Sequence, residues 1–240
     1  MTYLNAEGCN MKDSFAPAAG VNENFYSDTR GLVSDPVPFT KAVIDGLAHG
    51  GGLYVPAHVP ALSIDEICSL AEMPYSKRAA TVYRAFGVDL PTERIEALME
   101  SAYGDQFDDE RICPITSLDE NTHVLELWHG PTSAFKDMAL QCLPRFFSAS
   151  AEALRERGEL DHDFLILVAT SGDTGKAALE GFKNAEHVRI GVLFPDGGVS
   201  DIQRKQMVTT TGDNVQVWGV RGNFDDCQTG VKNAFGDEAY

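Results

Sequence analysis

Hydrophobic positions follow two different rhythms along the chain. From residue 133 onward, short apolar runs alternate with stretches whose apolar residues recur every three or four positions. The runs are 164–169 (FLILVA), 188–194 (VRIGVLF) and 215–220 (VQVWGV), and the helical stripes cover 133–157, 174–184, 201–209 and 224–239. With a short apolar strand over 124–128 placed first, the order is β-α-β-α-β-α-β-α. That order predicts an α/β fold, a parallel sheet with helical crossovers. The 164–169 run is apolar at every position, as expected when both sheet faces are covered. Pro144 falls inside the 133–157 stripe. It has no amide donor and crowds the carbonyl of Leu140, so a kink or break is predicted there.

Upstream the pattern is mainly helical. Residues 25–30 read as a short strand entering a turn, and 38–47 as a helix with Phe39, Val43, Ile44 and Leu47 on one side. Gly50, Gly51 and Gly52 are expected to end it. Ser63 followed by Glu66 resembles a capping box before Ile67, Leu70 and Ala71, and 92–102 turns Ile95, Leu98 and Met99 inward. The acidic stretch 104–123 reads as a solvated, turn-rich face. The chain thus divides into a flexible N-terminal extension over 1–24, a mostly helical region over 25–123, and an α/β region over 124–240. The last helical stripe reaches the end of the chain with no strand after it, so the α/β region is expected to be incomplete at its C-terminal end.

Charge narrows the partners. The 240 residues hold 36 Asp+Glu against 19 Lys+Arg, a formal charge of −17. Phosphate backbones and anionic membrane surfaces both need a basic face, so neither nucleic acid nor membrane is expected. No apolar run approaches the roughly 20 residues that span a bilayer, and the N-terminal residues carry no signal-peptide pattern. Cys9, Cys68, Cys113, Cys142 and Cys227 contain no Cys-x-x-Cys. They predict reduced thiols in a cytoplasmic protein, without a zinc site or disulfide framework. His49, His58, His123, His162 and His187 lack ligand spacing, so no metal is expected. His129 lies seven residues before Lys136, within reach of a site there, but reads better as a satisfied structural histidine. The sequence does not give the oligomeric state.

Two segments carry candidate chemistry. Lys136 follows a rigid Gly130-Pro131-Thr132 turn and is expected in the first turn of a helix. Most such lysines are solvent-exposed. However, the positive end of a helix disfavours a cation and favours the neutral amine that a Schiff-base lysine requires. The second segment, 169–175 (ATSGDTG), joins a strand to a helix. Its amides suit an anion at the helix end, or it is only a tight turn capped by Asp173 or Thr174. A Walker phosphate loop is excluded, because Thr170 stands where that motif has Gly and Ala177 where it has Ser or Thr. The Rossmann spacing is absent too. In 221–226 (RGNFDD), two acids come after the glycine, so Asn223 reads as a helix cap and not as an anion cradle.

Taken together, HGPTSAFKDMALQ (129–141), ATSGDTGKAAL (169–179), the YSDTRG and GLAHGGGLYVP segments within 26–56, and SDIQRKQM (200–207) resemble threonine synthase. That family belongs to the fold type II group dependent on pyridoxal phosphate, and the resemblance runs from about residue 25 to the end. It implies pyridoxal 5′-phosphate as cofactor, with Lys136 as its Schiff-base lysine and the catalytic base. It implies Phe135 against the pyridine ring and Asp173 near the coenzyme 3′-oxygen, a position often Asn in related enzymes. Ser171, Gly172, Thr174 and Gly175 would approach the carboxylate of the substrate, a small phosphorylated amino acid. The implied reaction converts O-phospho-L-homoserine and water to L-threonine and phosphate. The family's coenzyme-phosphate loop and pyridine-nitrogen partner have no match before Tyr240, which implies the N-terminal half of a longer enzyme. Three other readings stay open: another fold type II lyase, such as a dehydratase or O-acetylserine-type synthase, a fragment that binds no coenzyme, or a nucleotide-binding domain.

Overall fold

A computed structural model describes residues 25–235. The expected extension over 1–24 and the last residues of the final helical stripe lie outside them. The chain divides into two compact units, one reaching to Ser101 and the other starting at Ala102.

In the first unit, β1 (Tyr26–Asp28) pairs antiparallel with β2 (Tyr54–Pro56), Ser27 opposite Val55. The Asp28 carboxylate closes the turn after β1 by accepting the amides of Arg30, Leu32 and Val33 at 2.8–3.0 Å. α1 (Phe39–Asp45) stops earlier than its stripe suggests. Gly46, at φ 67°, turns its amide back to the Ala42 carbonyl, so this glycine and not the downstream triplet ends the helix. Gly50 and Gly51 have positive φ and form the turn into β2 instead. α2 (Ile64–Ala71) carries the reciprocal Ser63–Glu66 capping box in full. α3 (Tyr75–Ala85) and α4 (Thr92–Ala102) are linked by Lys77, which pairs with Glu96 and Glu100. Ile95, Leu98 and Met99 are buried, as their spacing predicts.

The second unit starts well before residue 124, because the acidic segment is tied to the Lys136 region. The Tyr103 hydroxyl donates to the Met138 carbonyl at 2.7 Å, and the Asp108 amide to the His129 carbonyl at 3.0 Å. β3 (Ile115–Ser117) and β4 (His123–Leu125) form an antiparallel hairpin. The apolar run at 124 is therefore not the first strand of the parallel sheet.

The predicted 133–157 helix is broken into α5 (Asp137–Leu140) and α6 (Leu143–Glu156). The break comes just before Pro144, which sits in the first turn of α6, where a missing amide donor costs nothing. The chain continues through β5 (Phe164–Ala169), α7 (Asp173–Phe182), β6 (Val188–Pro195), α8 (Asp201–Val208), β7 (Val215–Val220) and α9 (Phe224–Phe235). Strand order is β5-β6-β7, all parallel, with Ile166 opposite Ile190 and Val192 opposite Val217. The fold class is therefore α/β, as the run-and-stripe pattern predicts.

The most deeply buried strand is the central one, β6, and not β5. Val188, Ile190, Val192 and Phe194 are buried, whereas Leu165 of the edge strand β5 is half-exposed. Helix α7 lies close on the sheet because it is glycine-notched: a Cβ at Gly175 would come within 2.9 Å of the Val192 side chain. Phe147 of α6 meets Phe164 and Phe182 edge-on, at 4.9 and 6.0 Å between ring centroids.

Candidate active site

The turn that presents Lys136 is organised by the residue after it. Asp137 is wholly buried, and its carboxylate reaches back to accept the Thr132 amide at 2.8 Å and the Thr132 hydroxyl at 2.7 Å. A Cβ at Gly130 would lie 2.5 Å from the Asp137 Cβ, so only glycine lets this side chain fold under the loop. Ser133 takes φ 54° to complete the turn. Lys136 consequently precedes α5, at its N-cap position, and does not stand inside the first turn. Its side chain is half-buried, with Nζ 4.8 Å from the centroid of the Phe135 ring. Among the described residues no carboxylate pairs with it. Phe135 itself is more than half exposed.

The second segment lies where parallel sheets hold ligands, at the carboxyl end of β5. Its cap is neither Asp173 nor Thr174. The buried Thr170 hydroxyl accepts the amides of Gly172 and Gly175 at 3.0 and 2.9 Å, folding the loop from within. Gly172 takes φ 144° and makes no side-chain cap. Ser171 and Asp173 face solvent, Thr174 is half-buried, and Gly172 and Gly175 are buried. Asp173 is not loose, because Gln203 Nε2 donates to its Oδ1 at 2.9 Å. The same Gln203 closes a capping box with Ser200 at the start of α8.

Helix α7 ties the two segments together. Near its start, the buried Lys176 donates to the Thr132 carbonyl at 2.5 Å and to Gln206 Oε1 at 2.8 Å. Near its end, Gly181 packs against the Leu140 carbonyl of α5. The Lys136 turn thus lies beside the amino end of α7, at the same end of the unit as the 171–175 loop.

Four organising residues do not stand out in the sequence: Asp137, Thr170, Lys176 and Gln203. Thr170 is visible there only as a departure from a glycine motif. Gln203 carries a legible signal, since Ser200 three positions earlier announces a capping box.

His129 has both ring nitrogens satisfied, with Nδ1 2.5 Å from Asp108 and Nε2 2.7 Å from Glu126. The bond to Glu126, then that to Asp108, raise its pKa. Asn223 caps α9 reciprocally with Asp226, at 2.8 and 3.0 Å. Cys68, Cys113, Cys142 and Cys227 form no disulfide among the described residues, and Cys9 lies outside them. No described helix is long and apolar enough to cross a membrane.

Comparison with known proteins places this geometry. The family described as threonine synthase N terminus matches residues 25–103. Threonine synthase of Pseudomonas aeruginosa is 41% identical over 216 residues, which are 90% of this chain and 44% of that protein. Human threonine synthase-like 1 is 39% identical over 84% of this chain and 27% of its own length. The crystal structure of pyridoxal-phosphate-bound threonine synthase from Brucella melitensis superposes with a TM-score of 0.81 at 40% identity, over 90% of this chain and 45% of that one. The chain matches the N-terminal portion of threonine synthase. It spans less than half the length of the Pseudomonas and Brucella enzymes. The family match itself covers essentially the first unit, while the Lys136 turn and the 171–175 loop lie in the second. A span of 90% of the chain takes in both, so the likeness to threonine synthases includes the candidate site.

Proposed function

We propose that the chain is the lysine-bearing portion of a fold type II, pyridoxal-phosphate-dependent threonine synthase. Such a carbon–oxygen lyase converts O-phospho-L-homoserine and water to L-threonine and phosphate. The observation that carries this reading is Lys136. Its amine has the Phe135 ring as neighbour and no carboxylate among the described residues, on a turn fixed beside the 171–175 loop.

The residues fit the coenzyme's chemistry. A primary amine that is not held by a carboxylate is the donor a covalently bound aldehyde needs. The 171–175 loop lies at the start of α7, the helix end that favours an anion. When bound, pyridoxal phosphate supplies an electron sink for the bond changes around the substrate's α-carbon. Lys136 would hold the coenzyme and, once freed by substrate, take the α-proton, relay a proton from the β-carbon to the γ-carbon that phosphate leaves, and give a proton back at the α-carbon. Of the four loop residues expected at the substrate carboxylate, Ser171 and Thr174 would take it, because the Gly172 and Gly175 amides already donate to Thr170 and these glycines shape the loop instead. Asp173, oriented by Gln203, would face the coenzyme's 3′-oxygen, with Phe135 beside the pyridine ring. In a chain of charge −17, such local amides and helix ends must attract phosphorylated ligands that the net charge repels. The four described cysteines, none of them in a disulfide, suit a reducing, cytoplasmic setting.

The test is to add pyridoxal phosphate to the chain and record the spectrum, then assay phosphate release from O-phospho-L-homoserine. A Schiff-base absorbance in the wild type that disappears in Lys136→Ala supports the coenzyme site. No absorbance in the wild type overturns it for this chain. Phosphate release with no threonine formed would sink the assigned reaction.

A further inference from the structure

Lys176 plays no part in the chemistry proposed above, yet it is buried to 7% exposure. Burying an amine is costly unless its N–H groups find acceptors. Among the described residues it forms no ion pair; Glu180, one turn further along α7, pairs with Lys183 instead. Its two partners are neutral oxygens, the Thr132 carbonyl and the Gln206 side chain. A residue placed only for stability would be better apolar here, or paired with Glu180.

What the two acceptors have in common is position. Thr132 is the residue whose amide and hydroxyl are held by Asp137, in the turn that sets Lys136. Gln206 lies on α8, one helical turn from Gln203, which holds Asp173. Lys176 itself comes directly after the 171–175 loop. One amine therefore joins the lysine turn, the loop helix and the helix that orients Asp173.

We infer that Lys176 is a positioning residue, a three-way lock that fixes the Lys136 turn against the 171–175 loop. This inference rests on Lys136 being the coenzyme lysine. The lock sets where the Lys136 amine stands relative to the loop, and so how fast that amine captures an aldehyde. Lys176→Met keeps the length and apolar stem but removes both donors, leaving the Thr132 carbonyl without this partner. Lys176→Arg keeps donors, and the cleft of about 260 Å³ beside Thr132, Lys176 and Gln206 gives the larger head room.

The experiment uses the whole chain with pyridoxal phosphate and borohydride trapping, reading the rate of labelling at Lys136 against the other lysines by peptide mass spectrometry. Misplacing a reacting group by about an ångström costs up to roughly a hundredfold. Labelling of Lys136 in Lys176→Met should therefore slow about tenfold relative to the other lysines, and Lys176→Arg should recover part of the loss. Urea unfolding is run alongside. A variant that loses stability but labels Lys136 at the wild-type relative rate overturns the inference, since a purely structural residue would behave so. If wild-type Lys136 captures no coenzyme, the proposed function has failed, and amide exchange decides the lock alone. Faster exchange of Thr132, Ser133 and Asp137 in Lys176→Met, with the first unit unchanged, upholds it; unchanged exchange overturns it.

Discussion

The carboxylate of Asp137 accepts both the amide and the hydroxyl of Thr132, at 2.8 and 2.7 Å, and is completely buried. The pair closes the turn that ends in Lys136. Asp137→Asn keeps the shape but gives one of the two Thr132 donors an NH₂ to face. One buried donor is left unsatisfied, at a cost of about 2 kcal/mol. Chemical denaturation of the second unit should show that loss, and coenzyme capture by Lys136 should slow. Unchanged stability in Asp137→Asn would mean the clamp does not hold the turn.

Gly181 and Gly230 should respond to alanine with opposite signs. A Cβ at Gly181 would lie 2.1 Å from the Leu140 carbonyl oxygen, a backbone atom that cannot rotate away. Forcing α7 and α5 apart should cost about 1–3 kcal/mol. Gly230 stands within α9, with nothing inside 4 Å of the added methyl. There alanine should stabilise, by roughly 0.5–1 kcal/mol of helix preference. Thermal unfolding of the two variants checks both signs.

Much of this is legible in the sequence because it depends on local rules. The Ser63–Glu66 box, the Asn223 cap and the break before Pro144 each come from a few neighbouring residues. The three parallel strands come from apolar runs of strand length. The failures share a different cause. The run at 124 pairs with Ile115–Ser117, a partner with no apolar signature because all three residues are exposed. Leu165 is half-exposed although its run reads as covered, since side-chain type does not say whether a strand is central or at an edge. Within the site, Lys136 and the 171–175 loop stand out by composition and spacing. Asp137, Thr170 and Lys176 do not, because their roles are contacts across two to forty-four positions that no periodicity encodes; Gln203 is legible as a cap but not as the partner of Asp173, thirty positions away.

His129 makes stability depend on pH in a defined direction. Its bonds to Glu126 and Asp108 raise its pKa above the unfolded value of about 6.5. The folded state therefore binds this proton more tightly. The stabilisation is fully present below about pH 6.5 and is lost as pH rises through the raised folded value. Glu126 acts in the opposite sense. The Thr116 hydroxyl and then His129 lower its pKa, so its contribution is lost as pH falls through the depressed value. Stability should peak between the two. His129→Gln should flatten the alkaline side of the profile and leave the rest of the acidic limb in place. An unchanged alkaline limb in a urea titration series would refute the assignment.

Gln203 serves two neighbours through the two ends of its amide, and Gln203→Glu separates them. The side-chain oxygen accepts from the Ser200 amide and hydroxyl at 3.1 Å, while Nε2 donates to Asp173 at 2.9 Å. A glutamate keeps an acceptor for Ser200, so the start of α8 stays capped. It replaces the donor facing Asp173 with a second carboxylate oxygen. The lost bond and the like-charge contact together should cost about 1 kcal/mol at neutral pH. Because two adjacent carboxylates hold a proton more tightly when folded, that loss should shrink as pH falls toward the acidic range. Gln203→Ala removes both contacts and should show no such recovery. With Asp173 pushed out of position, the Gln203→Glu chain should also retain pyridoxal phosphate less well on dialysis at pH 7. Equal retention by the two forms, with the stability difference intact, would leave Gln203 as a helix cap that plays no part in orienting Asp173.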